Sequence, residues 1–338
     1  MSIALLLPTL VALLPVLGLL AALQLLDSFK LVKLRVVIAS VAAGALAAGA
    51  SFGLGGLLLG QFDIDIGSFS RYVSPLTEEL LKGLLVVALV RSHRIGFLVD
   101  AAIFGFAIGT GFALVENILF LQRLPDAVMS TWVVRGFGTA VMHGGTTAIF
   151  AVMGLAILDR SGRATLRSFL PGFALVVVLH SAFNHLSAAP QVATLSVMIA
   201  LPLLLYGVFQ RGEAATRDWL GTGFDSDVQM LELINAGQIA DSPTGRYLST
   251  LRDRFEGPLL ADVLCYLRLV TELSLRAKGL LMMRENGFTA ELDDETKASL
   301  TELRYLERSI GKTGLLAVRP LLHTSPKDLW QFVMLERA

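Results

Sequence analysis

Seven stretches of the chain are nearly free of charge and close to the length of a membrane crossing: residues 3–25, 36–60, 75–91, 96–121, 132–158, 168–188 and 191–209. A hydrocarbon core about 30 Å thick needs roughly 20 apolar residues in a helix, so the pattern predicts seven spans. The third stretch is the shortest and carries charge near its start, and by hydropathy alone it is the weakest. Pro75 suits its first turn, where a missing N–H has no intrahelical partner to lose.

Beyond Gln210 the pattern changes to amphipathic segments with ordinary helix punctuation. An apolar-periodic run from Leu259 to Met283 closes at Gly287, Asp293 or Asp294 is placed to cap a helix to about Ile310, and Ser325-Pro326 with Asp328 reads as an N-cap, a first-turn proline and a dipole-favoured acid. The expected architecture is therefore all-α: a polytopic transmembrane bundle over residues 1–210 and a small helical cytoplasmic domain over 211–338. The second part shows no metal spacing, phosphate-cradling glycine loop or internal repeat.

Composition agrees. The chain of 338 residues is 54% hydrophobic and 17% charged, with a mean hydropathy of +0.67, far from the balance of a soluble domain. Net charge is zero, which gives no reason to expect a nucleic-acid partner. The charge is unevenly spread, with 12 Lys+Arg and 9 Asp+Glu before residue 211 and 16 and 19 after it. Lys30, Lys33 and Arg35 follow the first span, Arg91 and Arg94 the third, and Arg160, Arg163 and Arg167 the fifth. Positive loops stay cytoplasmic, so the N-terminus is expected outside and the C-terminus inside the plasma membrane. The uncharged run from Met1 to Leu26 exceeds a signal-peptide core and has no basic start, so it is expected to remain as a first span. Cys265 lies in an apolar helical pattern, and burial is expected there.

Ionisable groups inside apolar helices cost roughly 2.5–3.5 kcal/mol each on insertion scales and are retained for a reason. Span three holds Glu78, Glu79 and Lys82; span four Glu116 beside Asn117; span five His143; span six His180, Asn184 and His185. Glu78 and Lys82, Phe112 and Glu116, and His180 and Asn184 each stand four residues apart, on one helix face. With the orientation above, all fall in the outer half or near the middle of the bilayer. One water-accessible cavity opening outward would produce that coincidence.

These residues resemble the PrsW family of intramembrane proteases, in a superfamily with the CAAX prenyl endopeptidases. The family's EExxK is Glu78-Glu79-Leu80-Leu81-Lys82, its FxxxE is Phe112 to Glu116, a histidine on the next span is His143, and its HxxxN is His180 to Asn184. Each motif alone is common; four in order on four consecutive spans are specific. The resemblance covers about residues 75–188. It implies hydrolysis of a peptide bond in a membrane protein, an anti-sigma factor or similar regulator, by a glutamate acting as general base on water, with no cofactor. Glu78 is the first choice of base; Glu79 orients it or meets the substrate; Lys82 restrains a carboxylate. Glu116 and His143 hold the water or pass protons, and His180 and Asn184 donate to the oxyanion, with Phe112 and Asn117 in support.

Plainer readings compete. Glu78, Glu79 and Lys82 alone would suit a solvated first turn, Glu116 a snorkelling carboxylate, and the histidines helix packing. Two other functions use the same cluster: a zinc hydrolase with Glu116, His143 and His180 as ligands, although no HExxH is present, and a sensor or transporter, for which no convincing repeat is found. The partner of the cytoplasmic domain is not legible.

Overall fold

The computed structural model describes residues 3–161, 165–186, 189–252, 255, 257–288, 292–322 and 325–336. Arg163, used above for orientation, lies outside them, as do residues 187–188 at the expected end of the sixth span. Every regular element among the described residues is helical. The chain divides into two compact units, Met1–Glu213 and Ala214–Ala338.

The first unit begins with α1 (Ile3–Leu26) and α2 (Leu34–Gln61). A short α3 (Ile66–Ser68) runs through a π-helical stretch, Phe69–Val73, into α4 (Ser74–Arg91). After α5 (Leu98–Arg123), α6 (Met129–Val133) runs through a second π-helical stretch, Val134–Ala140, into α7 (Val141–Ser161). A 3-10 turn, Leu166–Phe169, leads to α8 (Leu170–His185), and α9 (Pro190–Asn235) carries residues of both units.

Six segments among the described residues are long and apolar enough to cross a membrane, where the hydropathy pattern predicts seven. The one left out is α4, in which Glu78, Glu79, Lys82 and Arg91 fall within 18 residues. It nonetheless packs among α2, α5, α7 and α8. Its helix also starts earlier than expected: it passes through Pro75 from Ile66 rather than beginning there. Pro75 has no N–H to give the preceding turn, and that turn is the widened one, Ser74 donating its N–H to the Phe69 carbonyl.

The last span departs in the other direction. It does not stop near Phe209, because residues 210–235 lose hydropathy but not helix propensity, and these are separate properties. Large apolar side chains face outward from the bundle, among them Leu14, Leu46, Val178, Leu195 and Leu203, as a lipid solvent allows.

At the centre α5 contacts α1, α2, α4 and α7, and Val99 through Ala113 are all buried. Its glycines set the closest approach. A Cβ on Gly105 would stand 2.6 Å from the Thr147 carbonyl oxygen, and one on Gly109 would overlap the carbonyl of His143. The two backbones therefore meet without side chains between them, which brings His143 of α7 beside the end of α5. At the opposite helix ends, buried Asp27 accepts from the Val32 N–H at 3.1 Å, and burial pushes its carboxyl up to about 6. Asp100 closes the start of α5 by accepting from the N–H groups of Gly96 at 3.0 Å and Phe97 at 2.8 Å.

The second unit adds α10 (Pro243–Leu251), α11 (Gly257–Glu285), α12 (Asp294–Val318) and α13 (Pro326–Leu335), with α11 packed on α12 and α13. Gly287, at φ +80°, ends α11 as Phe288 donates to the Met283 carbonyl and Gly287 to that of Arg284. Asp293 is the cap of α12, accepting from the Thr296 N–H at 2.7 Å. That helix continues to Val318, past the expected end, through a break at Gly311. Ser325 and Asp328 form the reciprocal cap of α13. Buried Lys278 pairs with Asp227 and donates to Ser274 at 2.9 Å. Cys265 is exposed, contrary to expectation: the buried stripe of α11 runs through Val263, Tyr266 and Leu267, and position 265 falls off it.

Candidate active site

Four helices of the first unit bring their polar residues to one place: Glu78, Glu79 and Lys82 from α4, Glu116 from α5, His143 and Thr146 from α7, His180 from α8. Glu79 is its hub. One carboxylate oxygen lies 2.6 Å from the Lys82 Nζ, 2.8 Å from the His180 Nδ1 and 3.2 Å from the Thr146 hydroxyl. Lys82 is fully buried. Its ammonium also lies 3.1 Å from His143 Nδ1 and 5.0 Å from the centroid of the Phe112 ring.

Taken with both imidazoles neutral, those contacts assign the protons. An ammonium only donates, so His143 Nδ1 accepts from Lys82, and its Nε2–H donates to Glu116 at 3.0 Å. Glu79, as a carboxylate with three donors, only accepts, so His180 gives it the Nδ1–H and keeps a lone pair on Nε2. That Nε2 faces Glu78 Oε2 across 3.9 Å, too far for a hydrogen bond. Glu78 Oε2 is buried with no hydrogen-bond partner, while its other oxygen accepts from the Ser74 hydroxyl. With His180 as the neutral imidazole, two acceptors thus face each other across that gap, and the Glu78 oxygen is buried without a partner. A buried acceptor without a donor is costly, and this gap is shaped for a group that satisfies both.

The remaining expected residues stand further out. Asn184 is one turn beyond His180, and its amide donates to the Ser70 carbonyl at 2.8 Å, while Ser181 donates to the Arg71 carbonyl at 2.6 Å. Both carbonyls belong to the π-helical turn just ahead of Pro75, which brings no N–H of its own, so α8 is pinned to that turn. His185 is exposed and reaches the Tyr72 hydroxyl at 3.1 Å. Asn117 anchors α5 to α1, donating to the Ala12 carbonyl at 2.8 Å.

A family model described as PrsW family intramembrane metalloprotease matches residues 32–207. The chain belongs to the PrsW family. It is a multi-pass membrane peptidase, and the match runs from the end of the α1–α2 loop into α9, so that it contains the whole polar cluster and leaves the second unit outside. No curated protein and no solved structure matches the chain.

Two residues of this PrsW site are absent from the reading of the sequence. Arg135, on the second π-helical stretch, has its Nη2 3.3 Å from Glu116, donates from Nε to the Asn117 amide oxygen at 2.9 Å, and lies 3.6 Å over the centroid of Phe120. Thr146 is the third donor to Glu79. Each stands on the helical phase of His143, eight residues before and three after, and an arginine inside an apolar stretch is itself a signal. The family description raises a metal. Glu78, His143 and His180 each offer a ligand atom, all within 4.8 Å of one another, so Glu78 replaces Glu116 in the set expected from sequence. Tetrahedral zinc ligands lie about 3.4 Å apart, a modest closing movement away. The bare Glu78 oxygen and the open His180 Nε2, its far nitrogen held by a carboxylate as in metal-bound histidines, fit such an ion.

Proposed function

We propose that this peptidase hydrolyses a bond of a membrane protein with a water held between Glu78 and His180, and that Glu78 is the general base. The observation that carries the reading is the pair of facing acceptors, Glu78 Oε2 and His180 Nε2, 3.9 Å apart. A water there donates one hydrogen to each, which turns its lone pair toward the substrate. Glu78 takes the proton as the water oxygen bonds to the scissile carbonyl carbon, and returns it to the amine as the C–N bond breaks. Glu79 holds His180 in the tautomer that leaves Nε2 open, as the carboxylate of a catalytic triad holds its histidine. Lys82 neutralises Glu79 and fixes His143, whose Nε2–H restrains Glu116. Asn184 is committed to a backbone carbonyl, which supports a positioning role rather than contact with the oxyanion.

A second reading has its own support in the family description and the three-residue ligand set. Glu78, His143 and His180 would hold a divalent ion such as zinc, His143 giving up its contact to Lys82 or to Glu116 to free a ring nitrogen, and that ion when bound would supply Lewis acidity and lower the pKa of water to about 7. In both readings Glu79 aims His180. Metal analysis separates them: about one zinc per chain, with cleavage lost to chelator and restored by zinc, selects the metal reading, and cleavage by metal-free protein selects the glutamate alone.

The substrate class that the family resemblance suggests is a single-span regulatory protein such as an anti-sigma factor. The cluster lies near the N-terminal ends of α4 and α7 and the C-terminal ends of α5 and α8. The basic loops with Arg91, Arg94, Arg160 and Arg167 are at the other ends, which favours an outward-facing site in the plasma membrane, with the N-terminus outside and residues 214–338 in the cytoplasm. Co-expression with a panel of single-span proteins, comparing wild type with Glu78→Gln, Glu79→Gln, Glu116→Gln and His180→Ala, tests the assignment. It fails if fragments persist in all four variants.

A further inference from the structure

Beside the polar cluster is a cavity of about 370 Å³, walled by the ends of α5 and α8, the start of α9, α6 and the second π-helical stretch. Its polar lining comes largely from Ser130, Thr131, Arg135, Thr139, Asn184 and Gln191. Among the described lining residues arginine is the one cation, and none is acidic. Arg135 joins this space to the cluster, since its Nη2 lies 3.3 Å from the Glu116 carboxylate. That nitrogen is buried without a hydrogen-bond partner, so its donor capacity is unspent and is offered to a ligand once the side chain turns toward the cavity it lines.

A membrane helix satisfies its own carbonyls and offers such a wall nothing. An unwound segment offers a row of bare carbonyl oxygens, and a peptide bond must be unwound before water can reach it. We infer that this cavity is a substrate subsite for an extended, acceptor-rich segment next to a membrane span, and that Arg135 is its specificity-determining residue, taking a carbonyl oxygen of that segment. The inference rests on the protease reading for the nature of the ligand, but its geometry does not depend on which group activates water.

The test uses the full chain in liposomes and two synthetic single-span peptides, fluorescein-labelled and alike except in the outer flanking segment, one Gly/Ser/Asn-rich and one Ala/Leu-rich and helical. Anisotropy should show the extended probe binding about tenfold more tightly, roughly one charge-assisted hydrogen bond. Arg135→Gln should erase that preference and leave the helical probe unchanged. Thr139→Trp, which narrows the cavity while keeping Arg135, should do the same, and guards against a folding defect in the first variant. Equal binding of the two probes by wild type, or a preference that survives Thr139→Trp, overturns the inference. Cleavage of the extended probe is read separately: discrimination without cleavage would sink the protease reading and leave the subsite standing.

Discussion

The fully buried Lys82 makes the sharpest energetic prediction. Its ammonium has Glu79 at 2.6 Å and His143 at 3.1 Å and is closed off from solvent. Breaking one side of a buried pair costs about 3–5 kcal/mol, because the other charge is left behind. Lys82→Met leaves Glu79 with two donors, His180 and Thr146, so about 3 kcal/mol is expected. Glu79→Gln keeps an oxygen to accept from Lys82 but removes its counter-charge, and belongs at the upper end. The double variant removes both charges, and its loss should fall short of the sum by about 2–3 kcal/mol, the coupling of residues in one network. Reversible unfolding in detergent measures all three, with exposed Lys30→Met as a reference expected within about 0.5 kcal/mol of wild type. A loss below about 1 kcal/mol for Lys82→Met, or additive single effects, would refute the buried pair.

Other consequences follow from the same geometry. Asn184→Ala uncovers the Ser70 carbonyl and should slow cleavage at least tenfold with KM little changed, while Asn184→Ser restores part of the rate; equal loss in both variants would contradict a positioning role. Gly109→Val has no room against the His143 carbonyl and should cost about 3 kcal/mol or more, whereas the same change at Gly49, where a Cβ meets nothing within 4 Å, should be close to neutral by thermal unfolding. For Asp27 the folded-state pKa of about 6 lies above the ordinary 3.8, so the folded state binds the extra proton and stability falls as pH rises from about 4 through 6. Asp27→Asn should therefore gain up to about 3 kcal/mol at pH 8 and almost nothing at pH 4; an equal gain at both would contradict it.

Hydropathy was enough to place the spans, because a bilayer imposes length and apolarity on each helix separately. It rates α4 weakest for the reason that makes α4 important: its polar residues Glu79 and Lys82 are shielded by neighbours, which no local window can see. Spacing was enough to nominate Glu78, Glu79, Glu116, His143 and His180, since each is an ionisable group in an apolar helix. What spacing left open was the wiring. That Lys82 pairs with Glu79 rather than with Glu78, four residues away, depends on where α7 and α8 put His143 and His180. With the π-helical turns came the two surprises: Asn184 donates to the Ser70 carbonyl just ahead of Pro75, and Arg135 completes the Glu116 side. Cys265 shows the same limit at smaller scale, one helical position deciding between burial and exposure.

Whether Glu78 activates the attacking water is tested most directly by a single measurement on metal-free protein. Purified wild type and Glu78→Gln, each in liposomes with a single-span protein that the wild type cleaves, should be compared in H₂¹⁸O by mass spectrometry of the fragments. Wild type should place one ¹⁸O in the new carboxyl group of the upstream fragment, and Glu78→Gln should fall by about 10²–10⁴ in rate while its fold, read by the same unfolding assay, is kept. Cleavage by Glu78→Gln at close to the wild-type rate would contradict the assignment of Glu78 as the base.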